Sequence, residues 1–252
     1  MADLRLIRAD ALKLWRRRGM LVLGAFLTAG SALVAFAVPA VRHAVDPAQY
    51  PAAGGLARYQ NAIQFLLAMV AVAGAIVGAT AGAQDIESDV FADLAATGRS
   101  RLALLAARLP GALTVLLPIA ALTALVAAVG SITLAGSLPT PGPGAIVAGS
   151  LGLAAAAAFS AALGVGIAAL VGTRGPVIGI LLAVLLLVSP LLTRVTFLGN
   201  ARELLPTVAL DHLAHTPDRG IATTFATALA VVVGWSVAAL AAGAGRTLTR
   251  EV

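Results

Sequence analysis

The chain contains no cysteine. Disulfides, thiol catalysis and cysteine-ligated zinc are therefore excluded. Charge is also scarce, at 11% of 252 residues, against about 25% in an ordinary soluble domain. A soluble fold of this length cannot cover its surface with so little. Disorder needs low hydrophobicity, whereas 60% of the residues are hydrophobic and the mean hydropathy is +0.98. Lysine is almost missing, with Lys13 the single one among 17 basic residues. A phosphate-cradling G-x-x-x-x-G-K-[ST] loop needs a lysine in that setting, and Leu12-Lys13-Leu14 does not supply it. Neither H-E-x-x-H nor G-x-S-x-G occurs, so no metalloprotease helix or nucleophile elbow is expected. What remains is an integral membrane protein, in which no catalytic residue is expected.

What is present is a set of long apolar runs. A spanning helix needs about 20 such residues. Six segments qualify, at about 19–38, 62–83, 109–136, 145–172, 175–193 and 221–243. The fold class expected is all-α, a single polytopic domain with six transmembrane helices. Breakers fall between the runs: Pro139, Pro141 and Pro143 between the third and fourth, Pro206 and Pro217 before the sixth. Residues 1–37 have the basic start and apolar run of a secretory signal. That run is longer than a signal core, so an uncleaved first span is expected.

Six spans put both termini on one side. That side would hold Arg5, Arg8, Lys13, Arg16, Arg17, Arg18, Arg99, Arg101, Arg108, Arg174, Arg246 and Arg250. The other would hold Arg42, Arg58, Arg194, Arg202 and Arg219. The positive-inside rule makes the richer side cytoplasmic. The net charge of +6 thus reads as membrane anchoring rather than nucleic-acid binding. The arginine, alanine and glycine bias suggests a GC-rich bacterial genome, hence a bacterial cytoplasmic membrane.

Residues 4–18 read as an amphipathic helix. Leu4, Ile7, Ala11, Leu14 and Trp15 share one face, while Arg5, Asp10, Lys13, Arg16 and Arg17 share the other. Such a helix lies in the headgroup layer, with Trp15 at the interface and the arginines, Arg18 included, toward anionic lipid. A plain topology-setting anchor is the simpler reading and is compatible with it.

The stretch between the second and third spans is the most informative. Ile86, Val90 and Leu94 recur at helical spacing, and Asp85, Glu87, Asp89 and Asp93 crowd around them. Acids suit the first turn of a helix and Gly98 suits its end. A short helix over 85–97 is expected. Acids disfavour an anionic leaflet, so its apolar stripe rests either on a partner protein or back on the bundle.

The run from Gly82 to Ala112, GAQDIESDVFADLAATGRSRLALLAARLPGA, together with the basic helix before span one and the six spans, resembles the membrane subunit of a type-2 ABC transporter of the exporter class. The resemblance implies that residues 85–97 are a coupling helix docking on a separate ATP-binding subunit. Its contacts would include Asp85, Ile86, Glu87, Asp89, Val90, Phe91, Asp93, Leu94, Gly98, Arg99 and Arg101. ATP and magnesium would be held by that partner and no cofactor by this chain. Two permeases would pair, as homodimer or heterodimer. A carrier or channel without an ATPase partner and a membrane-embedded enzyme or assembly factor are the alternatives. The segment 194–218 resembles the family's outer re-entrant or short-helix region, with Leu204, Leu205, Val208 and Leu210 dipping into the interface.

Smaller features complete the reading. Gly74, Gly78 and Gly82 form a small-residue stripe suited to close helix contact, inside the chain rather than between subunits. The six apolar runs hold no ionisable side chain, which disfavours an ion-coupled carrier. Thr114, Thr123, Ser131, Thr223, Thr224, Thr227 and Ser236 are candidates to line a path. His43, His212 and His215, with Asp211, are expected to be surface polar residues rather than metal ligands.

Overall fold

The computed structural model describes residues 4–88, 90, 100–216 and 221–249. Among these, all regular structure is helical. Helix α1, Leu4–Trp15, precedes the spans. The spans are α2 (Arg18–Val45), α3 (Leu56–Glu87), α4 (Arg101–Thr133), α5 (Pro143–Val171), α6 (Arg174–Thr193) and α8 (Phe225–Thr249). Between the last two lie a 3-10 stretch, Thr196–Leu204, and a short helix α7, Pro206–Leu213. All six are long and apolar enough to cross a membrane, so the fold is a polytopic helical bundle, as the apolar runs indicate.

Burial ranks the spans. In its most apolar window α3 is 72% buried and α5 67%, against 22% for α6 and 11% for α8. The centre is therefore the α3–α5 pair. Lipid tails are as apolar as the helices, so close van der Waals fit must hold such a pair together. Glycine provides that fit. Gly74, Gly78 and Gly82 of α3 face Ser160, Ala161 and Val165 of α5. A methyl group at Gly78 would sit 2.5 Å from the Ala161 carbonyl oxygen, and one at Gly82 2.7 Å from that of Val165. The stripe is used within the chain. On the far side of α5, Gly166 lies against Ala239 and Leu240 of α8, and Gly243 returns the contact. Helix α5 is thus gripped from both sides through glycine.

At the end opposite α1 the loops lock together. The Gly54 and Gly55 N–H groups donate to the carbonyls of Leu134 and Ser131, each at 2.8 Å. Gly55 has φ of 90°, a conformation that favours glycine. Val208 and Leu210 of α7 are buried against the bundle, whereas Leu204 stays exposed. Ala214 fills the space above Gly152 of α5.

The helices run past the apolar segments. Helix α3 continues to Glu87, and α4 starts at Arg101. Asp85, Ile86 and Glu87 therefore form the last turn of a span instead of opening a separate helix. Asp89, Phe91, Asp93, Leu94, Gly98 and Arg99, and with them most of the helix expected over 85–97, lie outside the described residues. Charge also enters the helical bundle: Arg108 of α4 and Asp85 of α3 are both buried. Hydropathy trims a span at its first charge, but hydrogen bonding carries the helix on until the backbone turns.

Candidate functional site

The α1 end of the bundle gathers the charges. Acids at the end of α3 face a helix C-terminus, where the dipole disfavours them by about 0.3–1 kcal/mol. Neighbouring helices supply the compensation. Asp85 accepts from Lys13 Nζ at 3.0 Å and pairs with Arg108 Nη2 at 3.6 Å. Arg108 Nη1 donates to the Gly82 carbonyl at 2.5 Å. Lys13 also pairs with Asp10 at 3.4 Å. Two acids and two bases from α1, α3 and α4 thus form one neutral cluster. Burial pushes the Asp10 carboxyl above its ordinary value, Lys13 pulls it back, and Asp85 adds to the rise.

Glu87 is spent differently. Its Oε1 accepts the backbone N–H of Arg174 at 2.6 Å, and its Oε2 lies 3.3 Å from Arg174 Nε. Arg174 opens α6. The carboxylate therefore caps an N-terminus, where the dipole favours it. Arg101 Nη1 donates to the Leu248 carbonyl at 3.4 Å, joining the start of α4 to the end of α8. Ser100 caps α4, its hydroxyl accepting from the Ala103 N–H at 3.2 Å. Both stems of the 88–100 stretch are consequently tied to α1, α6 and α8.

Helix α1 sits differently from its amphipathic reading. Asp10 and Lys13, assigned to the polar face, turn into the bundle to meet Asp85 and Arg108. Gly111 makes room, since a methyl group there would lie 3.0 Å from the Asp10 Cβ. Leu14 is fully buried and Ile7 half-buried, but Leu4 and Trp15 of the same expected apolar face remain 80% and 47% exposed. Arg16, Arg17 and Arg18 are exposed. The ion pairs override the hydrophobic period and set the roll of the helix. Ile86 is half-buried and Val90 exposed.

The hydroxyl groups considered for a path are not brought together. Thr114, Thr123, Ser131 and Ser236 each donate to a carbonyl three or four residues back in their own helix. Thr224 and Thr227 pair at 3.0 Å before and within α8. Thr227 lines a lateral groove of about 510 Å³ with Leu204, Gly234 and Trp235, open on the side of α8.

A second feature lies at the opposite end. A cavity of about 120 Å³ between α3, α6 and α7 is lined by Gln64, Thr207 and Asp211 among apolar side chains. Ser189 and Thr207 share a hydrogen bond of 2.9 Å beside it. Asp211 is buried, not the surface residue expected from its setting near Pro217. The signal available in sequence was its position on the buried stripe of a short helix with Val208. Gln64, also on this lining, was missed because an amide inside an apolar run does not interrupt it. Among the described residues no three His, Asp or Glu side chains cluster as metal ligands.

These features define a helical multi-pass membrane protein with one ionically tied end. Comparison with family models and with curated proteins finds no match.

Proposed function

We propose that this chain is the membrane-spanning permease subunit of an ABC exporter of the type-2 class. A separate ATP-binding subunit hydrolyses ATP with magnesium, and residues 88–100 receive it on the cytoplasmic side. The observation that carries the reading is the mechanical wiring of that stretch. Asp85 and Arg108 hold its two stems to each other and to α1, while Glu87 and Arg101 tie them to α6 and α8. A push on these residues would reach five helices at once. The chain itself supplies no ATP-binding loop, so the energy enters from outside.

A second copy would complete the path. Spans α6 and α8 are the least buried. On α6, Gly175 and Gly179 face open space, unlike the glycines of α3. That stripe suits close approach of a partner helix. The alternative, a gradient-driven carrier, draws on the buried Asp211 beside a largely apolar cavity that also holds Gln64 and Thr207.

Affinity capture of the tagged full chain from membranes of its native host tests the proposal. Mass spectrometry should find a retained protein bearing a G-x-x-x-x-G-K-[ST] loop. Capture without any such ATPase, together with ion-driven flux in ATP-free liposomes, would overturn it.

A further inference from the structure

We propose that α1 and the turn into α2 form a docking surface for anionic phospholipid headgroups. The argument starts from the roll of α1. At 100° per residue, Leu4, Trp15, Arg8, Leu12, Arg5 and Arg16 follow one another around an arc of about 120°. Asp10, Leu14 and Ile7 occupy a separate arc, turned to the bundle. The cluster with Asp85 and Arg108 fixes this division, because it draws in both the acid and the lysine of α1. What faces outward is cationic and apolar, with the charge of Asp10 withdrawn.

The exposures decide the kind of partner. Arg8, Arg16, Arg17 and Arg18 are exposed. Interleaved with them, Leu4 is 80%, Leu12 53% and Trp15 47% exposed. A face directed at free phosphate or at water has no use for Leu12 and Trp15 between its arginines. A headgroup layer takes both: the apolar side chains enter the acyl boundary and the guanidinium groups remain at the phosphates. Zwitterionic lipid offers the phosphate with a compensating cation, while anionic lipid leaves it uncompensated. The arginines together should favour an anionic headgroup several-fold, one arginine near such a surface being worth about fivefold. This surface does not rest on the transport reading, since it uses no residue of the 88–100 stretch.

The experiment uses the full chain carrying Trp235→Phe, which leaves Trp15 as the single tryptophan. It is reconstituted in nanodiscs of phosphatidylcholine containing either brominated phosphatidylglycerol or brominated phosphatidylcholine at equal mole fraction. Brominated phosphatidylglycerol should quench Trp15 several-fold more strongly. High salt should shrink the difference, because screening shortens to about 3 Å at 1 M. Replacing Arg8, Arg16, Arg17 and Arg18 by Gln should abolish it. Equal quenching by the two lipids in the arginine-bearing chain would assign these cations to an acidic protein partner and overturn the proposal. So would a preference that survives high salt. The lipid and salt comparisons stand on their own if the fourfold variant fails to fold.

Discussion

Removing the Asp85 carboxylate should cost far more than removing that of Glu87, although the two lie two residues apart. In Asp85→Asn the shape is kept and one charge is lost. Arg108, with 3% of its side chain exposed, then keeps its hydrogen bond to Gly82 but loses its ion pair with Asp85. Removing one partner of a buried ion pair costs up to about 3–5 kcal/mol, and the remaining attraction between Arg108 and Asp10 sets the lower end here. The Lys13 arm adds little, since that side chain is 39% exposed and retains Asp10, and such pairs are worth about 0–1 kcal/mol. The expected loss is therefore about 3 kcal/mol. For Glu87→Gln the pair is lost from a site where Arg174 is 46% exposed, and the new amide oxygen can still accept the Arg174 N–H. That loss should stay below about 1 kcal/mol. At about 2–4 °C per kcal/mol for a domain of this size, Asp85→Asn should lower Tm by roughly 6–12 °C and Glu87→Gln by roughly 4 °C or less. Intrinsic tryptophan fluorescence during heating in detergent reads both. Equal shifts, or a larger one for Glu87→Gln, would refute the claim that the cluster is a buried structural tie. A further check is the pair Asp85→Leu with Arg108→Met, which should recover part of the loss because both buried charges of the pair are removed together.

Two other outcomes follow from the geometry. Gly78→Ala should destabilise the chain by about 1–3 kcal/mol through overpacking against the Ala161 backbone; Gly179→Ala, with open space around it within the chain, should leave the Tm of the detergent-dispersed monomer unchanged. Because the chain has no cysteine, Gly179→Cys gives a clean disulfide test of the second copy, and a monomer-only band after oxidation in native membranes would count against pairing through α6. The Asp10 carboxyl is raised above its ordinary 3.8 by burial, so the fold binds that proton more tightly than the unfolded chain does. Its contribution is greatest below 3.8 and declines as pH rises through the folded-state value. Asp10→Asn should remove that decline and leave the chain at least as stable at neutral pH. A Tm profile against pH in which Asp10→Asn falls below the parent at neutral pH would contradict this.

Much of the fold was legible because its signal is compositional. Six apolar runs of spanning length become six helices, since the bilayer leaves an isolated segment no other way to satisfy its backbone. The glycine stripe was legible as a close-contact face, since three small residues at i+4 spacing let another backbone approach; that the backbone is α5 of the same chain comes from the packing. The charged end was not legible. Periodicity put Asp10 and Lys13 with the polar residues of α1, which is correct for an isolated helix, but it carries no information about a counter-charge 72 residues away. A hydropathy window starts the third span at 109, because it counts the charge of Arg108 and does not see Asp85 beside it. Asp211 was placed at the surface by its polar neighbours, whereas the packing of α7 onto the bundle buries it.

The acidic stretch therefore divides in two, and the division changes what its charges can be asked to do. Asp85 and Glu87 satisfy neighbours inside the chain: one neutralises Arg108 and Lys13, the other caps α6. Neither is free to read a partner without releasing a helix. If an ATP-binding subunit docks at this end, electrostatic recognition falls to the remaining acids of the stretch, Asp89 and Asp93. The inner pair would then act as the joint that passes displacement onward. A reversal of all the acids to lysine would conflate these roles, because the Asp85 change alone breaks the fold at its tie. Reversing Asp89 and Asp93 alone should reduce ATPase capture.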